Sequence, residues 1–120
     1  MAAGQLQPPA GRFEPAAVYV LDRARIEVAL EARHRYKYVQ PQVQPGPGGV
    51  GWQVLSPNCS RSVDPLGGII EIAWLQPVAG QWHLHAHDHR RRAWVFKLRA
   101  ATLADALARL VDDPLKEFWQ

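Results

Sequence analysis

The sequence predicts an α+β domain: an N-terminal helix, an antiparallel sheet of about five strands rich in hairpins, and a C-terminal helix packed on one sheet face. Three observations lead there. The stretch Trp82–Phe96, WHLHAHDHRRRAWVF, alternates on both sides of a basic turn. A period of two sends successive side chains to opposite faces of a strand. Ile69–Gln76 alternates in the same way and is followed by a short Pro77–Gly80 connection. Two runs free of Gly and Pro, one after Pro15 and one after Thr102, instead carry apolar residues at helical spacing.

At 120 residues the chain fits one domain of ordinary size. Residues 1–14, rich in Pro, Gly, Gln and Ala, read as a disordered tail, and 15–120 as the domain. From Pro15 to about Arg33, Val18, Leu21, Ala24, Val28 and Ala32 form one helical stripe, while Tyr19, Ile26 and Leu30 fall on a second side. Ile26, Val28 and Leu30 also alternate like a strand, but the run is rich in alanine and lacks turn residues, so helix is the reading taken. A helix covered on two sides would suit a second subunit.

A strand is expected from near Arg35, with Tyr36 and Tyr38 on one side and Pro41 and Pro45 confining its far end to a sheet edge. Gly51–Leu55 is a short strand, and Ser56–Gly68 a turn-rich loop. Ile70, Ile72 and Trp74 are expected on the core face with Trp82, Leu84, Ala86, Trp94, Phe96 and Leu98. That register opposes Leu75 to His83, Ala73 to His85 and Glu71 to His87, and across the next turn Val95 to His85 and Lys97 to His83. Thr102 caps the last helix, whose core stripe is Leu103, Leu107, Leu110 and Val111. Pro114 then opens a turn that carries Phe118 and Trp119 onto the core.

His83, His85 and His87 share the face away from the core, roughly 6.5–7 Å apart in succession. His85 and His87, with Glu71 from the neighbouring strand, make a candidate metal trio with His83 beside it. Zinc suits such imidazole and carboxylate donors. A polar, pH-sensitive sheet face is the plainer account of the same row. Cys59, Arg61 and Asp64 form a candidate polar loop site, to which the turn pair Asp88 and His89 could add. A thiol beside an arginine can be acidified, although no partner base is fixed by the spacing.

The lone cysteine excludes an internal disulfide. No segment has the roughly 20 apolar residues of a membrane span, and the first residues lack a signal-peptide core, so the expectation is a cytoplasmic protein with no membrane partner. The net charge is only +3, which argues against a nucleic-acid partner. Arg90, Arg91 and Arg92 are the candidate contact if one exists. The α-β-β-β-α order is similar in outline to double-stranded-RNA-binding domains, but the last helix here opens Thr102-Leu103-Ala104-Asp105, without their basic residues.

The pieces RYKYVQP, SPNCSRSVDPLGG followed by IIEIAW, the Asp88-His89 pair and the closing DDPLKEFWQ resemble a family of short uncharacterised bacterial proteins, over most of residues 33–120. The resemblance implies a small bacterial cytosolic domain of unknown function and assigns no residue a role. The residues show no complete catalytic constellation. The leading expectation is therefore a non-catalytic binding or interaction module, whose partner is another protein or a second copy met through the first helix or the sheet edge. A zinc site on the histidine face is the alternative, and weak nucleic-acid binding through Arg90–Arg92 a further one.

Overall fold

The computed structural model describes residues 16–31, 41–57 and 68–119. The expected tail, the strand start at Tyr36 and Tyr38, and the loop holding Cys59, Arg61 and Asp64 lie outside the described residues. The order is α1 (Ala16–Glu31), β1 (Gln42–Pro45), β2 (Trp52–Pro57), β3 (Ile69–Val78), β4 (Gln81–Asp88), β5 (Ala93–Ala100) and α2 (Leu103–Asp112), with one 3-10 turn at Pro47–Gly49. Among the described residues the five strands pair antiparallel in chain order, with β1 and β5 at the edges. The α+β architecture is the one expected.

The core lies between the sheet and the two helices. Ile26 and Leu30 of α1 and Leu103, Ala106, Leu107 and Leu110 of α2 are buried with Val43, Val54, Ala73, Leu75, Leu84 and Ala86 of the sheet. Burying a Leu or Ile side chain contributes about 1.5–3 kcal/mol each. The side of α1 turned inward is the reverse of the expected one. Ile26 and Leu30 are buried, while Leu21 and Val28 of the predicted core stripe are exposed beside an open apolar groove shared with Leu103, Leu107 and Val111 of α2. The stripe and its alternative have nearly equal apolar content, so periodicity could not choose between them.

β3 and β4 are joined by Ala79-Gly80, both at positive φ (49° and 79°). A two-residue turn of that shape matches the right-handed twist of its strands. It is tighter than the three-residue loop expected, because β3 runs on through Pro77 and Val78. Asp88 holds the β4–β5 turn, accepting from the backbone N–H groups of Arg90 and Arg91 at 3.1 Å each. At the other end of β5, the Thr102 hydroxyl accepts from Asp105 N at 3.1 Å and caps α2 as expected.

The register differs from the expected one. Leu75 pairs with Leu84 and Ala73 with Ala86, while Trp74 pairs with His85 and Gln76 with His83. Ala73 and Leu75 are therefore the inward residues of β3, and Trp74 shares the histidine face. Two irregularities complete the change. Val54 pairs with Ala73 but Leu55 with Glu71, so Ile72 is an extra residue, and it is buried. Leu84 pairs with Leu98 but His85 with Phe96, so Lys97 is extra in β5. An inserted residue reverses the alternation beyond it. The first bulge puts Glu71 on the histidine face, and the second puts Trp94 and Phe96 there while Leu98 and Ala100 stay inward. Val95 thus pairs with Ala86 and not His85, and His83 pairs with Arg99 and not Lys97.

Candidate functional site

The face of the sheet away from the helices is paved with rings. Trp74 of β3 stacks on His85 of β4 with centroids 4.6 Å apart and planes 25° apart. Trp74 also meets Trp94 of β5 at 6.0 Å. Phe96 presents its edge or face to His83 at 5.1 Å and to His85 at 5.7 Å. His87 meets Trp94 and His89 edge-on, each at 4.9 Å. Cross-strand pairing places these rings opposite one another, and each close aromatic pair adds about 0.5–1.5 kcal/mol beyond its buried area.

Polar groups thread between the rings. Gln44 Nε2 donates to Gln53 Oε1 at 3.5 Å, a long contact, and Gln53 Nε2 donates to Glu71 Oε1 at 2.6 Å. Glu71 Oε2 lies 2.9 Å from His87 Nε2, and His87 Nδ1 lies 3.1 Å from His89 Nδ1. A carboxylate only accepts, so His87 Nε2 carries a proton. With His87 neutral, its Nδ1 then accepts from His89 Nδ1–H. The relay runs from β1 to the β4–β5 turn, with Glu71 held from both sides. His85 Nε2 is bonded at 2.9 Å to Gln76 Oε1, which can only accept, so this nitrogen also bears its proton.

These contacts bear on the metal trio. Glu71 and His87 meet as expected, but His85 is turned to Gln76 and Trp74, and His83 to Phe96. No group of three or more His, Cys, Asp or Glu capable of holding a metal ion exists among the described residues. Two donors fall short of the three that a zinc site needs. Asp88 is committed to its turn, and the Arg91 and Arg90 N–H groups, in that order, with the nearby guanidinium charges, hold its carboxyl below the usual range against some opposing burial. His89 joins His87, and the cysteine loop expected beside it lies outside the described residues. Arg90, Arg91 and Arg92 are exposed around the turn.

The sequence reading missed Trp74, Trp94, Phe96, Gln53 and Gln76 as members of this face. Parity within β3 did not choose: Gln76 shares the parity of Trp74, but Glu71 shares that of Ala73 and Leu75, and burying a carboxylate costs more than burying an amide. Nothing in the residue pattern marked the bulge at Lys97.

The imidazoles give the face a pH response. Burial, and next the charge of His83, lower the pKa of His85. Burial, and next His87, lower that of His89, with Glu71 and Asp88 opposing. The unfolded chain therefore takes up protons more readily just below pH 6.5 than the folded one, so stability falls as pH drops below the ordinary imidazole value and levels off below the lowered values. Thermal midpoints between pH 7.5 and 5 should fall, and a His85→Gln, His89→Gln double variant should show a shallower fall. An unchanged slope in that variant would place the sensitivity elsewhere.

No helix among the described residues is long and apolar enough to cross a membrane. No curated protein and no solved structure matches the chain. A family model does match, spanning residues 15–120 and so including every element described above: the chain belongs to the DUF3024 family, a domain of unknown function.

Proposed function

We propose that the chain is a non-catalytic binding module that recognises its ligand on the helix-free face of the sheet. The observation carrying this reading is the continuous patch of seven rings, Trp74, His83, His85, His87, His89, Trp94 and Phe96, joined pairwise across β3, β4 and β5. A small domain gains nothing from leaving a large ring such as Phe96 at 52% exposure, and grouped exposed apolar surface marks interaction sites. Rings provide flat contact area, and the amides and imidazoles between them provide direction. The polar atoms of Glu71 and His87 are aimed at each other, at Gln53 and at His89. That arrangement fixes the side-chain positions of the face.

The test is a titration of the isotopically labelled 120-residue chain with a panel of ligand classes: an oligothymidylate, a soluble gluco-oligosaccharide and a proline-rich peptide. At least one class should shift the backbone resonances of Trp74, His85, Trp94 and Phe96, and the indole resonances of the two tryptophans, as a contiguous set. Shifts confined to the helix side, or none from any class, would overturn the proposal.

A further inference from the structure

We infer that the ring-paved face binds single-stranded nucleic acid, with bases stacked on Trp94 and Phe96 and phosphates held by the arginines at the two ends of β5. The inference rests on reading that face as the binding surface, and adds the ligand's chemistry.

The small net charge conceals a cluster of cations along β5; the acids beside it are Glu71, Asp88 and, paired with Lys97, Glu117. Arg90, Arg91 and Arg92 precede β5, and Arg99 sits near its end, all exposed. Arg99 pairs with His83 across the ladder, so its side chain leaves on the face of the imidazoles. Trp94 and Phe96 stand between these positive ends. From Arg92 to Arg99 the strand spans about 23 Å, which suits the smallest single-strand sites of about four nucleotides. Among the described residues β5 is at the edge of the sheet, so a ligand's backbone can run along it without crossing the other described strands.

The rings decide which form of nucleic acid fits. Stacking on a flat sheet face requires bases whose own faces are free, as in single strands, whereas a duplex hides them. Trp94 and Phe96 are two residues apart on one face, about 6.5–7 Å, so each can take a separate base. The carboxylates nearest this path keep their charge, but a cation lies beside two of them: Arg91 Nε is 4.0 Å from Asp88 and Lys97 Nζ 3.4 Å from Glu117. Glu71, hydrogen-bonded to Gln53 and His87, remains an opposing charge on the ring face. An oligosaccharide could use the rings and amides but would leave the arginines idle.

Fluorescence anisotropy of a labelled twelve-residue oligothymidylate against the full chain tests the inference, with the uridylate equivalent alongside. Three phosphate contacts predict a slope of log affinity against log salt of about −2, or roughly a twentyfold loss between 50 and 200 mM salt. Trp94→Ala and Phe96→Ala should each weaken binding about tenfold or more. Arg92→Gln with Arg99→Gln should lower affinity and flatten the salt slope. A duplex of equal length should bind at least tenfold more weakly. Circular dichroism and thermal midpoints confirm that each variant folds. Phe96→Ser, at an exposed position, provides a second substitution if Trp94→Ala unfolds. Absent binding of both oligonucleotides, preference for duplex, or indifference to the ring variants would overturn the inference. If the saccharide or the peptide still shifts the ring resonances, the binding-face proposal stands and only the nucleic-acid assignment falls.

Discussion

Asp113→Ala is expected to destabilise the protein by about 3–5 kcal/mol and to free its C-terminal segment. Asp113 follows α2 with φ 40° and ψ 59°, and its N–H closes the helix on Arg109 O. Its carboxylate, in a residue 6% exposed, accepts three backbone N–H groups: Glu117 at 2.8 Å through Oδ1, and Phe118 at 3.1 Å and Trp119 at 2.8 Å through Oδ2. Alanine removes all three acceptors while two of the donors belong to buried residues, and each buried unsatisfied donor costs about 1–3 kcal/mol. Phe118 and Trp119 are then released from the core, together with the bond from Trp119 Nε1 to Leu110 O at 2.9 Å. Asp113→Asn keeps one acceptor oxygen and a residue type that tolerates left-handed backbone, so it should lose about half as much. Asp113→Gly relieves the backbone but keeps no acceptor, and should resemble alanine. Urea unfolding followed by tryptophan fluorescence orders the three. Equal losses for Asn and Ala would mean that charge, and not acceptor geometry, holds the segment. The effect reaches the candidate site, because Glu117 pairs at 3.4 Å with Lys97, the extra residue of β5. Loosening that anchor frees the bulge that turns Trp94 and Phe96 onto the ring face.

The C-terminal segment was legible in the sequence because Asp-Asp-Pro after an amphipathic helix is strong local chemistry, and Phe118 and Trp119 had no other place to go. The histidine row was legible for the same reason: strict alternation with Trp82, Leu84 and Ala86 leaves one choice of face. What could not be read was anything depending on how one strand is offset from the next. Trp74, Trp94 and Phe96 look like core residues when taken one strand at a time. Only the pairing of Leu75 with Leu84, and the bulges at Ile72 and Lys97, turn them outward. A bulge is decided by cross-strand packing and twist, so it leaves no mark in the alternation of a single strand. The same limit applied to α1, where two apolar stripes competed and the sheet's Val43 and Val54 were part of the surface that received Ile26 and Leu30.

Gly51→Ala is expected to be as damaging as Asp113→Ala, at about 4 kcal/mol or more, and its comparison with Gly80→Ala separates two causes. Gly51 has φ +64°, and an added Cβ would collide with the carbonyl oxygen of Leu75 and lie 2.8 Å from Pro77 Cδ. The first obstacle is backbone in the middle of the sheet, so it cannot rotate away. Gly80 has φ +79° with nothing within 4 Å of an added Cβ, so alanine there meets only the left-handed penalty of about 1–2 kcal/mol. The excess at Gly51 is the work of pushing the start of β2 away from β3. That displacement also carries the loop in which Gly46 N donates to Gly51 O at 3.0 Å and Trp74 Nε1 donates to Val50 O at 2.8 Å. Trp74 should then lose the anchor that holds its ring over His85, and its emission should shift even where the variant remains folded. Thermal melts of both variants, with indole fluorescence at a temperature where each is native, make the comparison. Equal destabilisation at the two glycines would mean that β2 can yield at Gly51, and that the stack on His85 is kept by the rings themselves and not by the loop behind them.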